Sequence, residues 1–154
     1  MRIINLRDAP EHVSTLARWF FEEWGYLNPG QSFEYRLARV ERYLTDDLLP
    51  TMLIAVDGSE VVGSAALIES DMDTHPELTP WLANVYVRSD QRGKGIGKQL
   101  VEAIMALGSE QNLQQLYLFT PDQASFYARL GWLHHQHAIY RGTDVTIMKF
   151  TPPI

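Results

Sequence analysis

From Thr51 to Ile68 the chain reads TMLIAVDGSEVVGSAALI, two apolar runs of strand length broken by Asp57-Gly58-Ser59-Glu60, and this predicts a β-hairpin. Before it the period is helical. Val13, Leu16, Ala17, Phe20 and Trp24 recur at three- and four-residue spacing, predicting a helix of about four turns that ends near Gly25. Asp8, with Glu11 three residues later, is its expected cap, and Ile3, Ile4 and Leu6 ahead of it read as a short first strand. After the loop WGYLNPGQ, Ser32 caps a second helix with Phe33, Leu37, Val40 and Leu44 on one face.

Past the hairpin, Glu69 to Pro80 is polar and proline-bearing, hence a loop, and WLANVYV is a further strand. Leu100, Ile104 and Leu107 then mark a long helix. QLYLFT reads as a strand and DQASFYARL as a short helix ended by Gly131, with two more strands around His134–Tyr140 and Val145–Phe150. The order is strand, two helices, three strands, helix, strand, helix, two strands. With no repeat or linker, it predicts one α/β (α+β) domain over residues 1–154, built on a mixed sheet.

Composition narrows the partners. The 154 residues are 45% hydrophobic and 21% charged, as in globular proteins, and the formal net charge of -6 offers no basic face for nucleic acid. Cysteine is absent, which excludes disulfides, thiolate nucleophiles and cysteine metal sites. No apolar run reaches membrane-spanning length, so the expected setting is cytoplasmic, with no membrane partner. His134, His135 and His137 invite a metal reading. Only His135 and His137 share a strand face, however, and zinc needs three or four ligands, so no metal is expected.

The chemistry concentrates in QRGKGIG, Gln91 to Gly97, between a strand and a helix. Such a turn presents unpaired N–H groups and the positive end of a helix dipole, which makes an anion site. Counting removes the commonest nucleotide motifs. A P-loop needs a glycine five residues before Gly97-Lys98 or Gly93-Lys94, where Arg92 and Arg88 stand; the dinucleotide fingerprint fails at Lys98 and Leu100. Arg92-x-x-Gly95-x-Gly97 remains. It resembles the pyrophosphate turn of the GNAT acyltransferase superfamily, and SFYARLGW, Ser125 to Trp132, resembles that family's F-Y-x-x-L-G-F segment.

The resemblance implies a GNAT fold: a largely antiparallel sheet of six to seven strands, splayed at strands 4 and 5 and flanked by four helices. It implies acetyl-CoA as donor, without a metal. The backbone of Val85, Tyr86 and Val87 would pair with the pantetheine arm, and Gln91, Arg92, Gly93, Lys94, Gly95, Ile96, Gly97 and Lys98 would hold the pyrophosphate. Tyr127 would serve the leaving thiolate, since a phenol keeps its proton at neutral pH. Two positions depart from the family pattern. Pro80 to Asn84 offers no strand carboxylate, which leaves the usual base open; in the loop before it Glu69, Asp71, Asp73, His75 and Glu77 could each act through water, with Glu69 the first candidate. Thr120 stands where relatives often place a cofactor-contacting asparagine.

Trp24, Tyr26 and Asn84 are the expected acceptor-site residues, since in the family the first two helices and their loop wall that site. The run Thr120 to Gly131 also resembles the matching segment of an acetyltransferase that acts on a protein N-terminus. The expectation is therefore an N-acetyltransferase acting on a primary amine of a small molecule or peptide in a ternary complex, and possibly forming a homodimer as many relatives do. The alternative is an acetyl-CoA-binding sensor or assembly module without turnover.

Overall fold

A computed structural model describes residues 1–153; Ile154, the last residue of the expected 1–154 domain, lies outside the described residues. The strands are β1 (Arg2–Asn5), β2 (Thr51–Asp57), β3 (Glu60–Ile68), β4 (Trp81–Val87), β5 (Leu116–Thr120), β6 (Leu133–Tyr140) and β7 (Thr143–Phe150). The helices are α1 (Val13–Trp24), α2 (Phe33–Glu41), α3 (Ile96–Glu110) and α4 (Ala124–Arg129). The seven strands form one sheet in the order β1-β2-β3-β4-β5-β7-β6. Every neighbouring pair is antiparallel except β4 with β5. This is the predicted element order, and the sheet is the largely antiparallel one that the resemblance implies.

The sheet separates two cores. Leu16 and Phe20 of α1 and Val40 of α2 pack on one face against Met52, Ile54 and Trp81; Leu100 and Ile104 of α3 and Tyr127 of α4 pack on the other against Leu67, Leu82 and Leu118. Strands covered on both faces lose the alternation of a half-exposed strand, and Val61 to Ile68 of β3 is accordingly buried throughout. The hairpin turns at Gly58-Ser59, with Gly58 at φ +62.

Two helix boundaries differ from expectation. Asp8 does not cap α1. Proline at position 10 disfavours helical backbone at Ala9, which sits at φ -145, so the chain makes two short 3-10 turns and α1 begins only at Val13. It is twelve residues long, just over three turns. The Asn5 side chain caps the first 3-10 turn by accepting from Arg7 N at 3.0 Å. Helix α2 stops at Glu41 because the next amides bond three residues back, Tyr43 to Val40 and Leu44 to Glu41. That tighter winding turns Tyr43 inward and leaves Leu44 40% exposed, off the predicted face.

Candidate active site

The site begins with a defect in β4. Ala66 pairs with Ala83 and Ser64 with Tyr86, two steps along β3 against three along β4, so β4 carries a bulge. Asn84 forms it at φ +51, a conformation asparagine tolerates better than most residues. The Ser64 hydroxyl donates to the Asn84 carbonyl at 2.7 Å, and the Asn84 amide donates to the Tyr43 hydroxyl at 2.8 Å. Across the bulge the facing reverses: Leu82 and Val85 both point to the α3–α4 core, although three residues apart. Beyond it β4 leaves β5. The two strands pair only at Trp81 and Tyr117, which leaves the β5-facing backbone of residues 83–87 without a strand partner.

The glycine turn closes this opening. Gly93 and Gly95 lie at φ +80 and +81, and a Cβ on either would meet nothing within 4 Å. Glycine is therefore required there by backbone conformation, and the space before it is free. Gly95 is the N-cap of α3, and the first amide satisfied within the helix is that of Gln99, bonded to Gly95 O at 3.1 Å. The N–H groups of Ile96, Gly97 and Lys98 are left for an anion. Arg92 folds back, donating from Nε to Val87 O at 2.9 Å with its guanidinium over the Tyr86 ring. Lys94 reaches Gln91 at 3.2 Å and does not line the opening.

Splay and turn together form a cleft of about 780 Å³ that joins the two faces of the sheet. Of the expected cofactor residues, Val85, Tyr86, Val87, Gln91, Arg92, Gly93, Gly95, Ile96, Gly97, Lys98 and Thr120 line it, as does Tyr127. Ile96 contributes backbone, its side chain being buried in the core. The Thr120 hydroxyl is engaged by the chain itself, accepting from Gln123 N at 2.9 Å at the entry to α4. Tyr127 is 8% exposed, and burial, with Asp122 nearby, pushes its phenol well above the ordinary value. It holds its proton firmly.

Among the expected acceptor and base residues, Trp24 and Asn84 line the cleft. Trp24 packs edge-on against Tyr86, whose ring stacks on Trp19 at 5.1 Å. Tyr26 lies outside the cleft, 60% exposed. Glu69 also lies outside it, exposed on a smaller adjoining pocket of about 200 Å³. Of the carboxylates on that loop, the one that lines the main cleft is Asp71, half-buried. Burial outweighs the nearby Arg39, Arg36 and Arg141 and pushes Asp71 up to about 6. Those arginines and Tyr43 were not singled out from the sequence. For Arg36, Arg39 and Tyr43 the one legible signal is spacing, since these positions recur at three and four residues; Arg141 carries none. Among the described residues no group of three His, Asp or Glu side chains is placed to hold a metal ion.

A sheet splayed at its single parallel pair, with a glycine turn opening the next helix, is the architecture of one enzyme class. Residues 50–133 match the family model of the acetyltransferase (GNAT) domain, and the chain belongs to that family. It is similar to mouse N-alpha-acetyltransferase 80, with 36% identity over 72 residues, 47% of this chain and 22% of that protein; the chain thus matches about a fifth of that relative's length. Among solved structures it superposes on an aminoglycoside 6'-N-acetyltransferase complexed with coenzyme A (TM-score 0.81, 18% identity, 100% of this chain and 98% of that one). It also superposes on aminoglycoside 6'-acetyltransferase type Ii (TM-score 0.77, 22% identity, 100% and 99%). At these identities the likeness is one of fold.

Proposed function

We propose that residues 1–154 are one acetyltransferase domain that moves an acetyl group from acetyl-CoA to a primary amine of a small molecule or peptide by direct attack in a ternary complex. The observation that carries this is the alignment of three features in one cleft: the unpaired edge of β4, the amides at the head of α3, and Tyr127. The residues fit the cofactor. Open space before Gly93 and Gly95 suits a pyrophosphate, and the free β4 backbone suits an amide-bearing arm that pairs as a strand does. When bound, acetyl-CoA supplies an activated thioester.

The protein's own groups do the rest. A backbone N–H near Val85, fixed by the bulge, offers a preorganised donor where negative charge develops on the carbonyl oxygen. Asp71 accepts the proton that the amine must lose; its raised pKa makes it a better base than an ordinary carboxylate while leaving it mostly ionised at neutral pH. Tyr127 Oη, which holds its proton so firmly, assists the departing sulfur by donating a hydrogen bond to it. The test is CoA release with a panel of primary amines, comparing wild type with Tyr127→Phe and Asp71→Asn. Slower turnover in both variants is expected. Acetyl-CoA binding without turnover by the wild type would instead identify a sensor.

A further inference from the structure

The acceptor wall carries a charge pattern that the acetyl-transfer chemistry does not use. Although the chain is net negative, Arg36 and Arg39 stand on one face of α2, line the cleft with Asp71, and continue into the adjoining pocket. Both are half-buried. Among the described residues neither makes an ion pair, whereas Arg88 and Arg141 do. The Arg36 guanidinium has no hydrogen-bond partner there, and Arg39 has only the Tyr35 hydroxyl at 3.4 Å. Burial and the facing charge of Arg39 push Arg36 below its ordinary value. Asp71 is near enough to feel both arginines but does not pair with either. Two like charges facing a single carboxylate that pairs with neither leave an excess of positive charge, which an anionic group would balance.

Arg141 frames the same wall. It is fixed by Asp73 at 3.3 Å, by the Leu27 carbonyl at 3.3 Å and by the Asn28 side chain, and so ties the β6–β7 turn to both the 69–80 loop and the segment after α1. Its charge is neutralised by Asp73, so Arg36 and Arg39 are the pair left to act on a ligand. Glu23, the other acidic side chain on this part of the cleft, is exposed at the rim beside Tyr26 and Asp122. The wall thus sets two arginines against one inner carboxylate, Asp71, and carries its other acidic side chains at the mouth.

Resting on the acetyltransferase reading above, we infer that the acceptor is an amino acid or peptide N-terminus whose first side chain bears a carboxylate, held by Arg36 and Arg39 while Asp71 faces the amine. An arginine fork matches a carboxylate in geometry and is weakly hydrated, so the pairing survives partial burial. The same two charges repel a polycation. Specificity then comes from exclusion as well as attraction.

The experiment uses matched acceptors on the protein saturated with CoA or acetyl-CoA: glutamate, glutamine and lysine as free amino acids, the same three as first residues of a dipeptide amide, and spermidine. Binding to the CoA-loaded protein is followed by calorimetry, and turnover with acetyl-CoA by CoA release. The glutamate member of at least one series is expected to bind at least tenfold more tightly than its lysine counterpart, and the series that shows this distinguishes a free amino acid from a peptide N-terminus. Arg36→Gln and Arg39→Gln should each cut that ratio several-fold, and the pair Arg36→Glu with Arg39→Glu should invert it in favour of lysine and spermidine. A CoA-induced rise in melting temperature verifies that each variant is folded. Equal or tighter binding of the cationic members by the wild type overturns this inference. Absence of turnover with the acidic preference intact overturns the transferase reading instead, and leaves the preference standing.

Discussion

Burial raises the pKa of both Asp71 and Tyr127, and the roles proposed for them rest on that. The Asp71 carboxyl has a folded pKa of about 6 against an ordinary 3.8, because burial disfavours its charge more than Arg39, Arg36 and Arg141 favour it. A group whose folded pKa is raised stabilises the fold in its protonated form, so this contribution is complete below about pH 4 and is lost as pH rises through 6. Asp71→Asn should therefore raise the melting temperature at pH 7.5 and not at pH 3.5. Two pKa units correspond to at most about 3 kcal/mol, and half-burial reduces the expected gain to about 1–2 kcal/mol. The same substitution should lower kcat/KM by about a hundredfold and abolish the acid limb near pH 6. A variant more stable yet inactive would mark Asp71 as a group kept for chemistry. Equal activity would remove it from the base role. For Tyr127→Phe, loss of a hydrogen bond rather than of an acid predicts a smaller fall in kcat, about tenfold to a hundredfold, with KM for acetyl-CoA nearly unchanged.

At the scale of elements, the sequence was legible wherever a segment's own pattern decided its structure. The hairpin, the seven strands and the four helices follow from period and turn chemistry. The glycine turn followed from counting, because φ > 0 and free space are demands that glycine alone meets cheaply. What was not legible is what long-range pairing imposes. WLANVYV gives no sign that Asn84 is a bulge, since the extra residue exists only relative to β3. The 69–80 loop shows five candidate bases in a row, and only its return past α2 brings Asp71 to the cleft and leaves Glu69 outside. The turn itself can be tested against a matched control. Gly95→Ala forces φ +81 on alanine, at a cost of about 1–2 kcal/mol, and should also weaken CoA binding. Gly58→Ala, at φ +62 in the hairpin, carries a similar strain outside the cleft wall. Thermal melts should fall alike for the two variants, while calorimetry should show CoA affinity reduced only for Gly95→Ala.

In the whole molecule, the cleft is also the sheet's seam. Two cores lie on opposite faces, and between β4 and β5 a single paired position, assisted by the Tyr117 amide bonding to Pro80 O at 2.9 Å, joins the β1-β2-β3-β4 side to the β5-β7-β6 side. A ligand that bridges the splay completes the hydrogen bonding that β4 and β5 leave unmade beyond Trp81, so binding and stability are coupled. At a hundred times its dissociation constant CoA should add about 2.7 kcal/mol, and for a chain of this length that raises the melting temperature by about 5–10 °C. Hydrogen exchange locates the effect. In the free protein the β5-facing amides of residues 83–87 should exchange fast, although their neighbours in β3 are protected by regular pairing. With CoA those amides and those of residues 96–98 should slow by at least tenfold, while the β6–β7 ladder at the far edge changes little. A uniform slowing over the whole sheet would mean that the ligand acts through global stability alone, and that β4 carries no strand-like contact to it.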